Sequence, residues 1–183
     1  MDGIVRYLEE ELNLPVNKEK SEVLQIKDIP FLGFQILRGK IRVSDKSRVK
    51  FKDKVRELTP RNNPLSMYQN IQELNQYLRG WVVYFGIQEF KKLLGDLDGW
   101  IRSRLRSMQL KKWKNPHKFQ RMMIKARYKP QEAHRVWIRM NKWQSVGRKE
   151  VCFVMNLKWF RKQGLLFLND FTKRFLEQPL FSR

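Results

Sequence analysis

Six basic side chains follow one another closely in the middle of the chain. They are Arg102, Arg104, Arg106, Lys111, Lys112 and Lys114. Such groups neutralise phosphates and displace counterions, while aromatic rings among them stack on unpaired bases. Trp113 and Trp143 lie in strongly basic surroundings. We therefore predict that these two tryptophans and the six cations contact RNA.

The spacing of the three arginines limits how many of them can touch one strand. On a helix, Arg102 and Arg106 are four residues apart and share a face, whereas Arg104 points away. We therefore predict that these three side chains do not all contact the same RNA strand.

The sequence contains no recognisable set of catalytic residues. No two aspartates are adjacent, and neither a glycine-rich phosphate loop nor a nucleophile elbow is present. Cys152 is the only cysteine, and we expect it to be a small buried side chain. His117 and His134 have no cluster of potential metal ligands near them in sequence. These residues favour a binding module without a metal or cofactor of its own.

The net charge of +21 and the pI near 10.4 indicate an anionic partner, most commonly nucleic acid. Residues 1–43 carry seven basic and seven acidic side chains, whereas residues 44–114 have a net charge of +9 and residues 115–183 one of +12. This shift predicts a domain boundary near residue 44. The acidic N-terminus is not typical of a secretory signal and no apolar run has membrane-spanning length. We expect an intracellular protein, in a bacterial cytoplasm or an organelle, with no membrane partner.

The elements that must position these side chains are mostly helical. Residues 29–43 predict a β-hairpin, in which Leu32, Phe34 and Ile36 alternate before a turn at Arg38–Gly39, and Gly33 marks a bend or a close backbone approach. Ser44 predicts the N-cap of a helix that ends at Leu58, and Ser66 with Gln69 predicts a capping box. Two amphipathic helical patterns then fill residues 65–114, separated at Gly86. Shorter helical patterns follow.

The order of several motifs is specific enough to resemble a known family. LNLPVNKEKSEV, FLGF, LNQYLRGWVVYFGI, LDGWIRSRLR and KWK follow one another as in the C-terminal half of a group II intron reverse transcriptase/maturase. The resemblance covers nearly the whole chain and is weakest after Phe171. It implies a mainly α protein, with residues 1–43 as a small α+β palm remnant that carries the hairpin. Residues 44–114 would form the helical-bundle thumb/maturase domain, and residues 115–183 a basic helical extension.

The resemblance also assigns roles to residues in the palm remnant. Lys20, in the VNKEKS loop, matches a lysine that lies beside the polymerase active site and helps to position or protonate the pyrophosphate of the incoming nucleotide. Phe31, Leu32, Gly33 and Phe34 are similar to the primer grip, which holds the 3′ end of the primer strand. Without a palm beside it, Lys20 has a plain alternative as a surface lysine.

One departure from the family pattern decides what this chain does alone. The family's paired catalytic aspartates, expected upstream of VNKEKS, are absent from this sequence, and with them the ligands for Mg²⁺ in a two-metal mechanism. We therefore expect no polymerase activity and no cofactor in this chain by itself.

Three functions remain open at this point. In the first, the chain is an RNA-binding maturase module that assists splicing and retrotransposition of a group II intron. Alternatively, it supplies the thumb and primer grip of an RNA-directed DNA polymerase, which binds an RNA/DNA duplex and needs a partner chain with the aspartates. The third alternative is a decayed remnant that binds any RNA through charge.

Overall fold

The structure, a computed structural model, describes residues 2–17, 30–37, 40–86, 91–113, 116–140 and 142–177. It is mainly helical with one small antiparallel sheet, as predicted. The strands are β1 (Pro30–Phe31), β2 (Phe34–Leu37) and β3 (Lys40–Val43). The α-helices are α1 (Asp2–Arg6), α2 (Asp45–Leu58), α3 (Met67–Phe85), α4 (Lys91–Lys112), α5 (Pro116–Lys125), α6 (Pro130–Arg139), α7 (Lys149–Val154), α8 (Leu157–Lys162) and α9 (Leu168–Glu177). A π-helical turn at Tyr7–Glu11 and a 3₁₀ helix at Lys142–Gly147 complete the set.

Two compact units make up the chain, residues 1–48 and residues 49–183. The first unit holds the sheet, in the order β1-β2-β3 with antiparallel pairing throughout. The predicted hairpin is the β2–β3 pair, in which Phe34 lies opposite Val43 and Leu37 opposite Lys40. The register leaves two residues for the connection, at the predicted turn Arg38–Gly39, which lies outside the described residues.

The predicted strand at Leu32 is wrong, because the chain already turns there. Leu32 has φ +49° and Gly33 has φ +82°, and together they connect β1 to β2. Two successive positive φ angles are typical of tight hairpin turns, whose twist matches that of the flanking strands. Only Gly33 adopts this conformation without steric cost, so alternation of apolar residues alone could not reveal the turn.

Gly33 also makes the close backbone approach that its position in the sequence predicts. Its carbonyl oxygen accepts hydrogen bonds from the Ser44 amide, at 2.9 Å, and from the Ser47 hydroxyl, at 3.0 Å. Ser44 is the predicted N-cap of α2, because its side-chain oxygen accepts from the Ser47 amide at 3.2 Å. The turn of the sheet and the start of α2 are thereby tied together.

The second unit is built around α3 and α4. The predicted capping box at Ser66 and Gln69 starts α3, and Gly86 ends it. Apolar residues at helical spacing are buried on both helices, as the two patterns predict. On α3 they are Ile71, Leu74, Leu78, Trp81 and Val82, and on α4 they are Leu94, Leu97, Ile101, Leu105 and Met108.

Two buried polar side chains hold the C-terminal part of the chain on these helices. Asn75 of α3 donates to the Gly164 carbonyl at 2.7 Å and accepts from the Leu166 amide at 2.8 Å. Asp98 of α4 accepts from the amides of Leu168 and Asn169, at 2.9 and 3.3 Å. Since these amides lie at the N-terminus of α9, Asp98 satisfies donors that the helix itself leaves unpaired.

Candidate nucleic-acid interface

The arginines of α4 make contacts within the second unit that the sequence does not predict. Arg104 donates to the Thr59 carbonyl at 2.8 Å and to the Thr59 hydroxyl at 3.3 Å, and it reaches the Arg56 carbonyl at 3.4 Å. These oxygens lie at the C-terminus of α2, where a cation satisfies unpaired carbonyls and opposes the helix dipole. Burial lowers the pKa of Arg104, and the neighbouring charges of Arg61 and Arg56 lower it further.

Arg106 has a similar internal task on the other side of α4. Its Nε and one terminal nitrogen both donate to the Met155 carbonyl, at 3.1 and 3.0 Å, where α7 ends. Its guanidinium carbon lies 5.5 Å from the centre of the buried Phe160 ring. Burial lowers the pKa of Arg106. The forked hydrogen bond and the ring contact fix the C-terminal helices on α4.

Arg102 completes the predicted division of faces. Its guanidinium lies 5.7 Å from the centre of the Phe167 ring, so Arg102 and Arg106 both turn toward the C-terminal segment, while Arg104 turns toward α2. The prediction that Arg104 points away from the other two is confirmed. The reason is internal packing, and contact with RNA is not needed to explain it.

The three predicted lysines are placed differently from one another. Lys112 donates from Nζ to the Leu65 carbonyl, and burial lowers its pKa. Lys111 is exposed. Lys114 lies outside the described residues. Of the six predicted cations, Lys111 alone is both described and exposed.

The two tryptophans predicted to contact RNA are placed differently. Trp113 is only 8% exposed and packs against Phe119, with ring centres 6.0 Å apart, so the interpretation of its ring as a stacking surface is wrong. The prediction rested on the basic neighbours of Trp113 in sequence, and these do not determine where the ring itself points. Trp143 lies in the 3₁₀ helix, but its side chain is outside the described residues, so that assignment stays a prediction.

The residues assigned by the resemblance lie in the first unit. Lys20 is outside the described residues. Of the primer-grip residues, Phe31 and Leu32 are 70% and 65% exposed at the β1–β2 turn, Gly33 sits within that turn, and Phe34 is half-buried in β2. The primer-grip role stays a prediction.

Helices α5 and α6 supply the basic surface that the α4 residues do not. Prolines start both helices, at Pro116 and Pro130, where a missing amide hydrogen costs no helical bond. The two helices pack through Phe119 and Trp137, with ring centres 5.8 Å apart, and through a 3.1 Å hydrogen bond between Gln120 and His134. Basic side chains on both helices are exposed.

Seven Lys and Arg residues but only one acidic residue, Glu132, occur between residues 116 and 139. All seven are exposed, and none forms a salt bridge within the part of the chain that the structure describes. We call these seven side chains the α5–α6 basic face. They are Lys118, Arg121, Lys125, Arg127, Lys129, Arg135 and Arg139.

Sequence reasoning missed this face although its signal was present. Lys118, Arg121 and Lys125 recur at three- and four-residue steps, opposite the apolar positions Phe119 and Met123. The prediction instead chose the basic residues on and just after α4, because they lie closer together in the sequence. The difference is that Arg104, Arg106 and Lys112 of α4 donate to carbonyls of other elements, whereas the three basic side chains of α5 are exposed.

Other classes of site have no support in the described part of the chain. No described helix has the length and apolarity needed to cross a membrane. Among the same residues, no group of three or more His, Cys, Asp or Glu side chains is placed to hold a metal ion.

Comparison with known families identifies the central part of the chain. A family model described as the group II intron maturase-specific domain matches residues 48–129, a stretch that includes α3, α4 and α5. The resemblance seen in the sequence is thus confirmed over this stretch. No curated protein matches the chain.

Proposed function

We propose that this chain, whose residues 48–129 carry a group II intron maturase-specific domain, binds structured intron RNA and assists its folding for splicing and retrotransposition. The RNA performs the chemistry in this role, and the protein neutralises phosphates and stabilises the RNA shape. Its place of action is where the intron is transcribed, in a bacterial cytoplasm or an organelle.

The observation that carries the proposal is the α5–α6 basic face. Helices α5 and α6 carry five of its seven cations, Arg127 and Lys129 lie in the loop between the two helices, and no described carboxylate pairs with any of the seven. Phosphate contacts of this kind fix the register and orientation of a nucleic acid without reading its sequence. Structured RNA is recognised largely through shape and backbone, for which a rigid basic surface is suited.

The test is RNA affinity across a salt series. Wild-type protein is titrated with a structured group II intron RNA and with an unrelated RNA of equal length. We expect a steep salt dependence for both RNAs and a preference for the intron that persists as the salt concentration rises. Equal affinity for both RNAs at every salt concentration would contradict the maturase role and favour the decayed remnant.

A pair of matched variants tests the surface itself. Lys118→Gln with Arg121→Gln removes two charges from α5, and Lys173→Gln with Arg174→Gln removes two exposed charges from α9. We expect the α5 variant to lower the slope of log affinity against log salt by about two, because each phosphate contact contributes about one. The α9 variant should change the slope less. A larger change of slope for the α9 variant than for the α5 variant would contradict the role of the α5–α6 basic face.

A second candidate function rests on the first unit. The β1–β2 turn presents Phe31 and Leu32 to solvent, as a primer grip requires. In this role the chain is the thumb and primer grip of an RNA-directed DNA polymerase, and a partner chain provides the aspartates that hold Mg²⁺. Primer extension that depends on both this chain and such a partner would support it.

A further inference from the structure

A groove of about 440 Å³ lies at one end of the α5–α6 basic face. It runs between the C-terminus of α5 and the junction of α7 and α8. Met122, Ala126 and Val154 supply apolar lining, and Phe153 adds an aromatic ring. Lys125 and Arg127 supply two positive charges, and no carboxylate belongs to the described lining. This size is within the usual range of small-ligand sites.

The aromatic ring in this groove is unusually open. Phe153 is 52% exposed, although Tyr128 contacts it edge-to-face at 5.7 Å between ring centres. A phenylalanine this exposed gains little from burial, but an unpaired nucleobase could cover it. Stacking on aromatic rings beside cations is the common way in which proteins hold unpaired bases.

The backbone at Arg127 is strained in a way that the fold alone does not require. Arg127 has φ +69° and occupies the position after α5 that glycine usually takes. Its amide donates to the Ile124 carbonyl at 2.9 Å, and the Tyr128 amide donates to the Met123 carbonyl at 3.1 Å, which closes the helix end. Glycine would make the same bonds without steric cost. The side chain of Arg127 is exposed, so packing does not explain the arginine.

We propose that this groove binds one unpaired RNA nucleotide. Its base covers Phe153, and the flanking phosphates lie on Lys125 and Arg127. Charge complementarity selects this occupant, because the lining offers two cations and no described carboxylate. This inference rests on the RNA-binding function proposed above and names the RNA feature that the site recognises, a bulged or looped-out base.

The first test separates stability from binding at Arg127. In Arg127→Gly, we expect the melting temperature to rise by about 2–4 °C, as strain is relieved, while affinity for RNA falls. The matched control is Arg148→Gly, which removes the same charge at the N-cap of α7, where φ is −64° and glycine is tolerated. The control should keep both its melting temperature and its affinity close to wild type. Equal affinities for the two variants would overturn the role of Arg127.

The second test addresses the base itself. Two RNA hairpins of equal length are compared, one with a single bulged nucleotide and one fully paired. We expect Phe153→Ala to lose about 5- to 150-fold in affinity for the bulged hairpin only, with an unchanged salt slope, because stacking involves no counterion release. Phe153→Trp should retain the preference.

The outcomes separate this inference from the function it rests on. Equal losses for both hairpins, or no loss for either, with Phe153→Ala would overturn the nucleotide groove and leave the α5–α6 basic face intact. Binding of an apolar peptide that Phe153→Ala abolishes, without any effect on RNA, would do the same. Failure of the wild-type chain to bind any RNA would instead remove the proposed function.

Discussion

Single residues on α4 show how a basic side chain can serve the fold instead of a ligand. Arg104, Arg106 and Lys112 each donate to main-chain carbonyls far away in sequence, at Thr59, Met155 and Leu65. The net value of a hydrogen bond from a charged donor is about 1.5–3 kcal/mol when the acceptor would otherwise lack a partner. These cations therefore stabilise the second unit.

Arg106→Met tests this division of labour. The substitution keeps much of the apolar contact with Phe160 but removes both donors to the Met155 carbonyl. We expect a loss of about 1–2 kcal/mol in unfolding free energy, or about 2–8 °C in melting temperature, because the carbonyl of the buried Met155 loses a charged partner. Affinity of the folded variant for intron RNA should change no more than that of Lys111→Gln. A large loss of RNA affinity without a loss of stability would instead indicate that Arg106 contacts RNA.

The sequence predicts what depends on local spacing. Arg102 and Arg106 share a face because helical geometry requires it, and Ser44 caps α2 because its neighbours in sequence supply the amide. It could not predict that Arg106 meets Met155, since the acceptor is a backbone oxygen present at every position and lies 49 residues away. Contacts with carbonyls leave no signature in the sequence, so the basic cluster on α4 resembled a phosphate-binding surface.

At the scale of elements, α9 depends on a carboxylate that belongs to α4. Asp98 is 6% exposed and accepts from two amides at the N-terminus of α9. Asp98→Ala leaves both amides without a partner. We expect a loss of about 2 kcal/mol in unfolding free energy, as for removal of a helix cap. Asp98→Asn keeps one acceptor oxygen and should lose less. Urea unfolding at neutral pH measures both, and equal losses would contradict the account.

The pH dependence of Asp98 has a defined sign. Burial raises the pKa of this carboxyl group above its usual range, although the amides of Leu168 and Asn169 and the charge of Arg102 lower it. The folded protein therefore holds this proton more tightly than the unfolded chain does. The additional stability that the bound proton supplies is fully present below the unfolded pKa, about 3.9, and is lost as the pH rises through the folded pKa, whereas the carboxylate still accepts the two amide hydrogen bonds at neutral pH.

The non-titrating Asp98→Asn variant isolates this effect from the other carboxylates. We expect the unfolding free energy of the wild type, relative to that of the variant, to fall as the pH rises from the unfolded pKa of Asp98 to its folded pKa. Urea unfolding of both proteins at a series of acidic pH values measures the difference. A rise over the same interval would mean that the hydrogen bonds outweigh burial.

At the scale of the whole molecule, charge is unevenly divided along the chain. Residues 1–43 carry equal numbers of basic and acidic side chains, whereas the remainder holds the entire excess. A chain that begins at Ser44 keeps the cap of α2. We expect it to bind intron RNA with an unchanged salt slope and an affinity within about twofold of the full chain, because the lost segment has no net charge.

The same shortened chain separates the two candidate functions. Full retention of RNA affinity supports a maturase module that acts through the second unit. A large loss would mean that the hairpin residues Phe31 and Leu32 contact nucleic acid, as the primer-grip role requires. Binding to an RNA/DNA duplex, measured beside the intron RNA, shows which ligand the hairpin serves.

The backbone acceptors on which α4 relies also shape how this protein tolerates mutation. A substitution at Leu65 or Met155 changes a side chain but leaves the carbonyl oxygen that Lys112 or Arg106 needs. A substitution at the donor removes the bond outright. Mutation can therefore change the residue that carries the acceptor carbonyl without breaking the hydrogen bond, whereas the basic residue that donates to it must stay. In a library of random variants, the link from Lys112 should survive many changes at the half-buried Leu65 and few at Lys112, whereas the fully buried side chain of Met155 restricts changes there for a separate reason.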